Sequence, residues 1–427
     1  MKIKVAEYNK NSFIFFVITV FISFMFTIIN AFNEDGLNSW ISLFVFTILF
    51  IFSYLKFNTK KIFIFILYLY QYMFIFSCFV KIEHLSISNL IKDFFPFFVL
   101  PILCYIIILP SLFIEIPKNL NKINNKYTDA FIYFLFPLIV FSIIYLIPYT
   151  FDTFKNGAQM VRSEGQDNLP KNILTTLGVG ISIMYPLYMF LLYYAIANKK
   201  NNKIVFITIL GLLCGVVGGM VFATRDRIIY IIFYAILFNW LWSPYLKDNY
   251  FFFKVKKYIW VVFFIIISLF VWITLDRFST DIGNIFSWTL FYYGAQPYIF
   301  ADVVDKHVDF YGIGYIYPIL LNPVEEFYRK DSYFWLWGTL YQNFYIAGGW
   351  FYCLFFAIFN LIFSSFVFKQ LKSYKWIYIV YLILFYQIVV HGVFYYNLGF
   401  PGGNLYIIFM LLTGILMQFL ISRNKKC

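Results

Sequence analysis

The chain is organised by a series of long apolar runs that are separated by short charged breaks. A helix needs about 20 apolar residues to cross a hydrocarbon core of roughly 30 Å, because each residue adds about 1.5 Å. Runs of about that length cover 13–32, 39–56, 62–80, 94–114, 130–150, 172–197, 203–223, 228–245, 258–275, 338–368, 376–396 and 401–421. The sequence therefore predicts an all-α, polytopic integral membrane protein with about twelve transmembrane helices.

The composition excludes a soluble globular protein. Hydrophobic residues make up 62% of the chain, charged residues only 12%, and the mean hydropathy is +0.78. Soluble domains carry about 25% charged residues. No small-residue cleavage site follows the run 13–32, so we expect this run to be the first retained helix of a single transmembrane domain, 1–427.

The positive charges predict the orientation of the helices. With the N-terminus placed inside, 22 of the 33 lysines and arginines fall in predicted inner segments, and every inner segment is positive. This distribution obeys the positive-inside rule and predicts that both termini are cytoplasmic. Orientation also explains the net charge of +13 better than binding to nucleic acid does.

Arginine is distributed differently from lysine. Five of the six arginines lie in predicted outer segments, where the positive-inside rule disfavours them: Arg162, Arg225, Arg227, Arg277 and Arg329. The planar guanidinium group can bind phosphate or carboxylate through two parallel hydrogen bonds. An anionic ligand at the outer face is therefore predicted. The alternative is that each arginine reaches toward lipid headgroups or pairs with an outer acid.

Two of these arginines flank Asp226 in the stretch Gly218–Tyr230, GGMVFATRDRIIY. Apolar runs precede and follow the stretch, so Arg225, Asp226 and Arg227 form a very short turn between two predicted helices. Cations held so close to the bilayer are costly and usually functional. Arg225 and Arg227 are therefore the strongest candidates for binding the anion.

The predicted outer loops differ in length. The segment 151–170 is short and polar, whereas 276–337 is long and mixes acids with aromatic residues. Long loops in compact domains are usually functional. Within the longer loop, the apolar stretch Phe286–Phe300 contains Tyr293 and Tyr298 and predicts an interfacial or re-entrant helix. Aromatic rings beside carboxylates suit a sugar site, although tyrosine and tryptophan are also common at any membrane interface.

One histidine lies close to the predicted outer face. His391 is near the outer end of the eleventh predicted helix, in HGVFYYNLGFPGG. A neutral imidazole there could act as a general base, and a packing or helix-capping role is equally compatible with the sequence. The chain contains no phosphate-binding loop, dinucleotide fingerprint, HExxH or CxxC motif in a usable context, so no cofactor and no metal are predicted.

Several stretches together resemble the O-antigen polymerase family, the oligosaccharide repeat-unit polymerases. They are FATRDR at a helix end, Arg277 just after the ninth predicted helix, FYYGAQPYIF and YGIGYIYPIL in the long loop, and GTLYQNFYIAGGW after it. The resemblance covers the whole predicted topology through short, degenerate motifs. It implies a bacterial inner-membrane enzyme whose active site faces the periplasm.

The reaction implied by the resemblance is glycosyl transfer. A growing oligosaccharide moves from polyprenyl diphosphate to the non-reducing end of another lipid-linked repeat unit. On this basis Arg225, Arg227, Arg277 and Arg162 are expected to bind the diphosphate, with His391 as base and Asp226 orienting an arginine. Arg329, Tyr293 and Tyr298 are expected to contact the glycan. Membrane lipids are expected partners, and a chain-length regulator protein is a candidate partner.

Two other functions remain open at the level of sequence. An O-antigen ligase would move finished glycan from the same lipid to a lipid A core, and it shares the topology and the outer arginines. A lipid-linked oligosaccharide flippase could also have twelve helices. Transporters usually place ionisable residues near mid-membrane in repeated, broken halves, and the sequence lacks this pattern.

Overall fold

The computed structural model of the protein describes part of the chain in detail. The described residues are 2–31, 36–80, 95–114, 123, 125–156, 169–170, 172–222, 224, 226–246, 264, 268, 271, 275, 292–306, 310–319, 338–371 and 375–424. Within them every regular element is an α-helix or a 3-10 helix, which confirms the all-α prediction for this part of the chain.

Thirteen α-helices follow one another along the described ranges. They are α1 Lys2–Ala31, α2 Gly36–Lys56, α3 Lys61–Ser77, α4 Phe95–Ile108, α5 Lys126–Asn156, α6 Ile173–Ser182, α7 Tyr185–Ala197, α8 Asn202–Met220, α9 Asp226–Leu246, α10 Gln296–Lys306, α11 Thr339–Gln370, α12 Trp376–His391 and α13 Pro401–Asn424. A 3-10 turn, Leu109–Phe113, continues α4.

Nine helices of the described part are long and apolar enough to cross a membrane, or ten if the bent pair α6–α7 forms one span. These helices indicate a multi-pass membrane protein.

The predicted run 172–197 is broken by 43° between Ser182 and Tyr185. Pro186 lies in the first turn of α7 and cannot donate the hydrogen bond that would continue α6. The predicted run 258–275 lies outside the described residues except for four helical positions.

Hydrogen bonds and one ion pair join helix ends at two places in the bundle, and we name the two ends of the bundle after them. At the first, which we call the lysine end, Lys60 donates to the Leu112 carbonyl, and Lys200 pairs with Asp129. At the second, the arginine end, the Tyr395 hydroxyl donates to Asp226, and the amide of Leu340 donates to the Gly392 carbonyl. The sequence predicts that the segments of the lysine end and those of the arginine end lie on opposite sides of the membrane, and this orientation stays a prediction.

A glycine-lined face brings α8 unusually close to α6 and α7. A Cβ atom at Gly211 would lie 2.5 Å from the Tyr188 ring, and one at Gly215 would lie 2.9 Å from the Cβ of Tyr185. One at Gly218 would overlap Ser182 Oγ and Arg227 Nη1. Small residues commonly allow such close helix packing in membranes. The glycines of α8 thus make room for side chains at the arginine end.

The helix α11 is broken at Gly348 and Gly349, where Gly349 has a φ of 65° that favours glycine. The break exposes the carbonyls of Ile346 and Ala347, which accept hydrogen bonds from the backbone amides of Tyr311 and Gly312. The segment 310–319, which belongs to the predicted long loop, is therefore fastened to the first part of α11.

Candidate functional site

The guanidinium group of Arg227 is the centre of the candidate site. Arg227 lies in the first turn of α9, is only 9% exposed, and donates from Nη1 to Ser182 Oγ at 2.8 Å and to the Gly215 carbonyl at 3.4 Å. Among the described residues the only ion pair joins Lys200 and Asp129, so Arg227 forms no direct ion pair with a described carboxylate. A buried cation whose hydrogen bonds go to neutral groups is a candidate site for an anion.

The local sequence explains how Arg227 reaches this position. Gly218 and Gly219 line the path of its side chain, and a Cβ at Gly219 would already lie 3.2 Å from Arg227 Cδ. Ser182 ends α6 at the helix break, so its hydroxyl faces the guanidinium group. Both described hydrogen bonds of Arg227 come from Nη1, which leaves Nε and Nη2 as donors for a ligand.

Asp226 is the neighbouring acidic group at the start of α9. Its Oδ2 atom accepts a hydrogen bond from the Tyr395 hydroxyl at 3.1 Å. Its Oδ1 atom is buried and has no hydrogen-bond partner among the described residues. A buried carboxylate oxygen normally has a partner, so Oδ1 is an acceptor that a bound hydroxyl group could use.

His391 completes the cluster from the end of α12. It is 2% exposed, and its Nε2 atom lies 2.6 Å from the Tyr185 hydroxyl. The Tyr230 ring lies against the imidazole, with the two centroids 3.6 Å apart and the planes inclined by 30°. Nδ1 is buried without a partner among the described residues. Because Nε2 is engaged by Tyr185, Nδ1 is the nitrogen that remains available to a substrate.

The structure brings three of the predicted site residues together: Arg227, Asp226 and His391. The helix α9 supplies the first two, and α12 packs against it at the same end of the bundle. Four other predicted residues lie outside the described residues: Arg162, Arg225, Arg277 and Arg329. Their roles stay predictions.

The two predicted glycan-binding tyrosines lie in packing positions. Tyr293 donates to the Leu69 carbonyl at 2.5 Å, and Tyr298, which is 0% exposed, donates to the Ser77 carbonyl at 3.3 Å. Burial raises the pKa of both phenols above the usual value, so both are neutral donors. In this structure they attach the segment before and within α10 to α3, and they do not join the Arg227 cluster.

Several members of the site are not identifiable from the sequence. Ser182, Tyr185, Tyr230 and Tyr395 are ordinary residues within apolar stretches. A partial signal exists for two of them: Pro186 indicates a helix break beside Ser182 and Tyr185. Tyr230 follows Asp226 by one helical turn, which places both on one face of α9.

Within the described ranges no three His, Cys, Asp or Glu side chains are grouped so that they could hold a metal ion.

Comparison of the chain with protein-family models, with curated proteins and with solved structures gives no match. The chemistry of the site therefore has to be argued from its own geometry.

Proposed function

We propose that the protein is a glycan polymerase that acts on oligosaccharides linked to polyprenyl diphosphate, with the arginine end of the bundle facing the periplasm. The observation that carries the proposal is the buried Arg227 guanidinium, which has no described carboxylate partner and lies beside Asp226 and His391. A diphosphate is a suitable anion for this cation because it can accept several guanidinium hydrogen bonds at once.

The proposed reaction is a single group transfer. A hydroxyl group at the non-reducing end of the acceptor attacks the anomeric carbon of the donor sugar, and the bond from that carbon to the diphosphate oxygen breaks. Polyprenyl diphosphate leaves with the bonding electron pair. The acceptor proton passes to the lone pair of His391 Nδ1, the nitrogen without a partner among the described residues, in the tautomer in which Nε2–H donates to the Tyr185 oxygen.

Arg227 and Asp226 have different parts in this proposal. Negative charge grows on the leaving diphosphate in the transition state, and a fixed guanidinium group stabilises that charge more than it stabilises the ground state. Asp226 Oδ1 would accept a hydrogen bond from a sugar hydroxyl and orient the acceptor. Tyr185 and Tyr395 hold His391 and Asp226 in place through the hydrogen bonds described above.

The test uses purified protein in detergent with a synthetic repeat unit linked to polyprenyl diphosphate. Products that differ by one repeat unit each would support the polymerase, and their loss in Arg227→Lys would support the role of the guanidinium. Transfer that occurs only after a lipid A core is supplied would replace the polymerase with the ligase. Bound but unchanged substrate in both mixtures would contradict glycosyl transfer.

One observation favours a second candidate, a transporter of the same lipid-linked oligosaccharide. Two helices are broken, at Ser182–Tyr185 and at Gly348–Gly349, and broken helices often form substrate sites in transporters. Proteoliposomes with labelled lipid-linked oligosaccharide distinguish the two functions. A transporter would move intact substrate between leaflets without lengthening it, whereas the polymerase would lengthen it without a change of leaflet.

A further inference from the structure

Below the His391 imidazole, toward the lysine end, three neutral polar side chains are fully buried without partners. They are Tyr234 on α9, Gln387 on α12 and Tyr406 on α13, each 0% exposed. Among the described residues neither the two hydroxyl groups nor either amide atom of Gln387 makes a hydrogen bond. Four polar atoms therefore lie unsatisfied in the middle of an apolar bundle.

The position of each side chain is defined relative to His391 or to Tyr234. The Tyr234 ring is stacked on the His391 imidazole, with centroids 6.2 Å apart, and lies 5.7 Å from the Tyr185 ring. Gln387 precedes His391 by one helical turn, so both lie on the same face of α12. The phenol of Tyr406 is close enough to the phenol of Tyr234 for electrostatic interaction.

Buried polar atoms without hydrogen bonds destabilise the folded protein unless a ligand supplies the missing hydrogen bonds. A buried polar group without a partner loses its hydration and gains nothing in return, and the membrane interior supplies no water to lipid-facing groups. The same bundle satisfies a comparable amide elsewhere: Asn360 donates to the Ile107 carbonyl at 3.2 Å and accepts from Ser364 at 3.0 Å. Gln387, like the fully buried Gln71, makes no such hydrogen bond among the described residues, and only Gln387 lies beside two unpartnered phenols and the His391 imidazole.

We propose that Tyr234, Gln387 and Tyr406 form a subsite that binds hydroxyl groups, and we call it the hydroxyl subsite. Phenols and an amide both donate and accept hydrogen bonds, as water and sugar hydroxyls do, and none of the three carries a charge for an ion. The ligand is either a set of water molecules or a ring of the sugar that enters beside His391. The subsite uses none of the Arg227 contacts, so it stands or fails independently of the glycan polymerase.

The test measures access to the subsite with a thiol reagent. In a background in which the five cysteines are replaced by alanine or serine, Gln387→Cys and Tyr234→Cys are each exposed to neutral 2-hydroxyethyl methanethiosulfonate. The matched control is Phe385→Cys, because Phe385 is also 0% exposed, lies two residues from Gln387 on another face of α12, and leaves a larger apolar cavity. Mass spectrometry measures the labelling rate of each folded, monodisperse variant.

We expect the thiol of Gln387→Cys to react at least about tenfold faster than the thiol of Phe385→Cys, because hydrogen-bonding ligands exchange through a polar site and not through a close-packed core. Adding Gln387→Leu to the Tyr234→Cys variant should slow the labelling at position 234, because the apolar side chain removes two hydrogen-bonding atoms. Equal rates at positions 387, 234 and 385 would overturn the proposal, whatever the result of the polymer assay.

Competition identifies the source of the hydroxyl groups. Protection of the thiol at position 387 by polyprenyl-diphosphate-linked oligosaccharide, but not by inorganic pyrophosphate, assigns the subsite to a sugar ring. Rapid labelling that neither compound slows assigns it to water. Protection by pyrophosphate alone would contradict a neutral subsite, because it would show that an anion occupies the region.

Discussion

The two ends of the bundle hold cations in opposite ways. At the lysine end Lys200 pairs with Asp129 Oδ2 at 2.5 Å, and the second carboxylate oxygen accepts from the Tyr194 hydroxyl at 2.9 Å. At the arginine end Arg227 contacts only a hydroxyl and a carbonyl among the described residues, and Asp226 has one oxygen without a described partner.

The difference separates a charge that is paired within the chain from one that has no ion pair among the described residues. The Lys200–Asp129 pair is satisfied within the chain and links the start of α5 to the turn after α7. Arg227 is desolvated without an ion pair among the described residues. An anion that binds there would offset this cost, as the proposed function expects.

The largest effect is expected at His391, the proposed base. In His391→Gln the glutamine fills similar space but cannot accept the acceptor proton, so turnover should fall by about a thousandfold, within the range typical of general bases. The measurement is the rate of chain lengthening at saturating donor, with the thermal unfolding midpoint as control. A variant that kept about a third of the wild-type rate would make His391 a packing residue.

Arg227→Lys should lower turnover by about a hundredfold. Lysine keeps the charge but loses the planar set of donors that could contact Ser182 and the proposed diphosphate together. Removing one donor that stabilises the transition state typically lowers turnover by about a hundredfold or more. The rate and the Kd for inorganic pyrophosphate are measured in parallel. An unchanged rate together with an unchanged Kd for pyrophosphate would contradict the proposal that Arg227, unlike Lys200, binds an anion.

Gly218→Ala tests whether the position of Arg227 matters as well as its charge. The new methyl group would meet Ser182 Oγ and Arg227 Nη1, so we expect about a tenfold loss of turnover and about 1–3 kcal/mol of stability. Gly211→Ala is the matched control, because it clashes with Tyr188 in the same helix interface but away from Arg227. The stability of Gly211→Ala should fall by a similar amount while its turnover stays at the wild-type level. Equal turnover in the two variants would contradict the expectation that the position of the Arg227 side chain affects turnover.

The smallest effect on turnover is expected at the lysine end. Lys200→Met should change turnover by less than about twofold, because the pair lies remote from the Arg227 cluster and surface pairs contribute little. The lost pair is partly exposed, with side chains 14% and 27% accessible, so stability should fall by only about 1 kcal/mol. A large loss of turnover with intact folding would show that the lysine end also takes part in function.

Much of the fold is readable from the sequence because membrane helices require long apolar runs. The bounds of α9 and α13, for example, follow from hydropathy and from the breaks at Asp226 and Pro401. The sequence does not predict the break in α11, since paired glycines such as Gly348 and Gly349 also occur in straight membrane helices. Pro186 offers a signal for the break between α6 and α7, although hydropathy alone predicts a single helix over 172–197.

The composition of the site is harder to predict than the helices. Arg227, Asp226 and His391 are candidates because charge and imidazole are rare in this chain. Their tyrosine and serine neighbours cannot be identified, because helices that are apolar on all sides give no amphipathic pattern to indicate which faces meet. The contact of Tyr185 with His391 depends on the packing of α7 against α12, which only the structure shows.

The broken helix α11 also connects the segment 310–319 to the end of α12, beside His391, by a short series of backbone hydrogen bonds. Tyr311 and Gly312 hold the carbonyls at the break, and the other end of the same helical half donates from Leu340 to Gly392, the residue that follows His391. The segment 310–319 and the end of α12 are thus joined to opposite ends of the same helical half of α11, so the position of His391 and that of the segment are fixed by one rigid element.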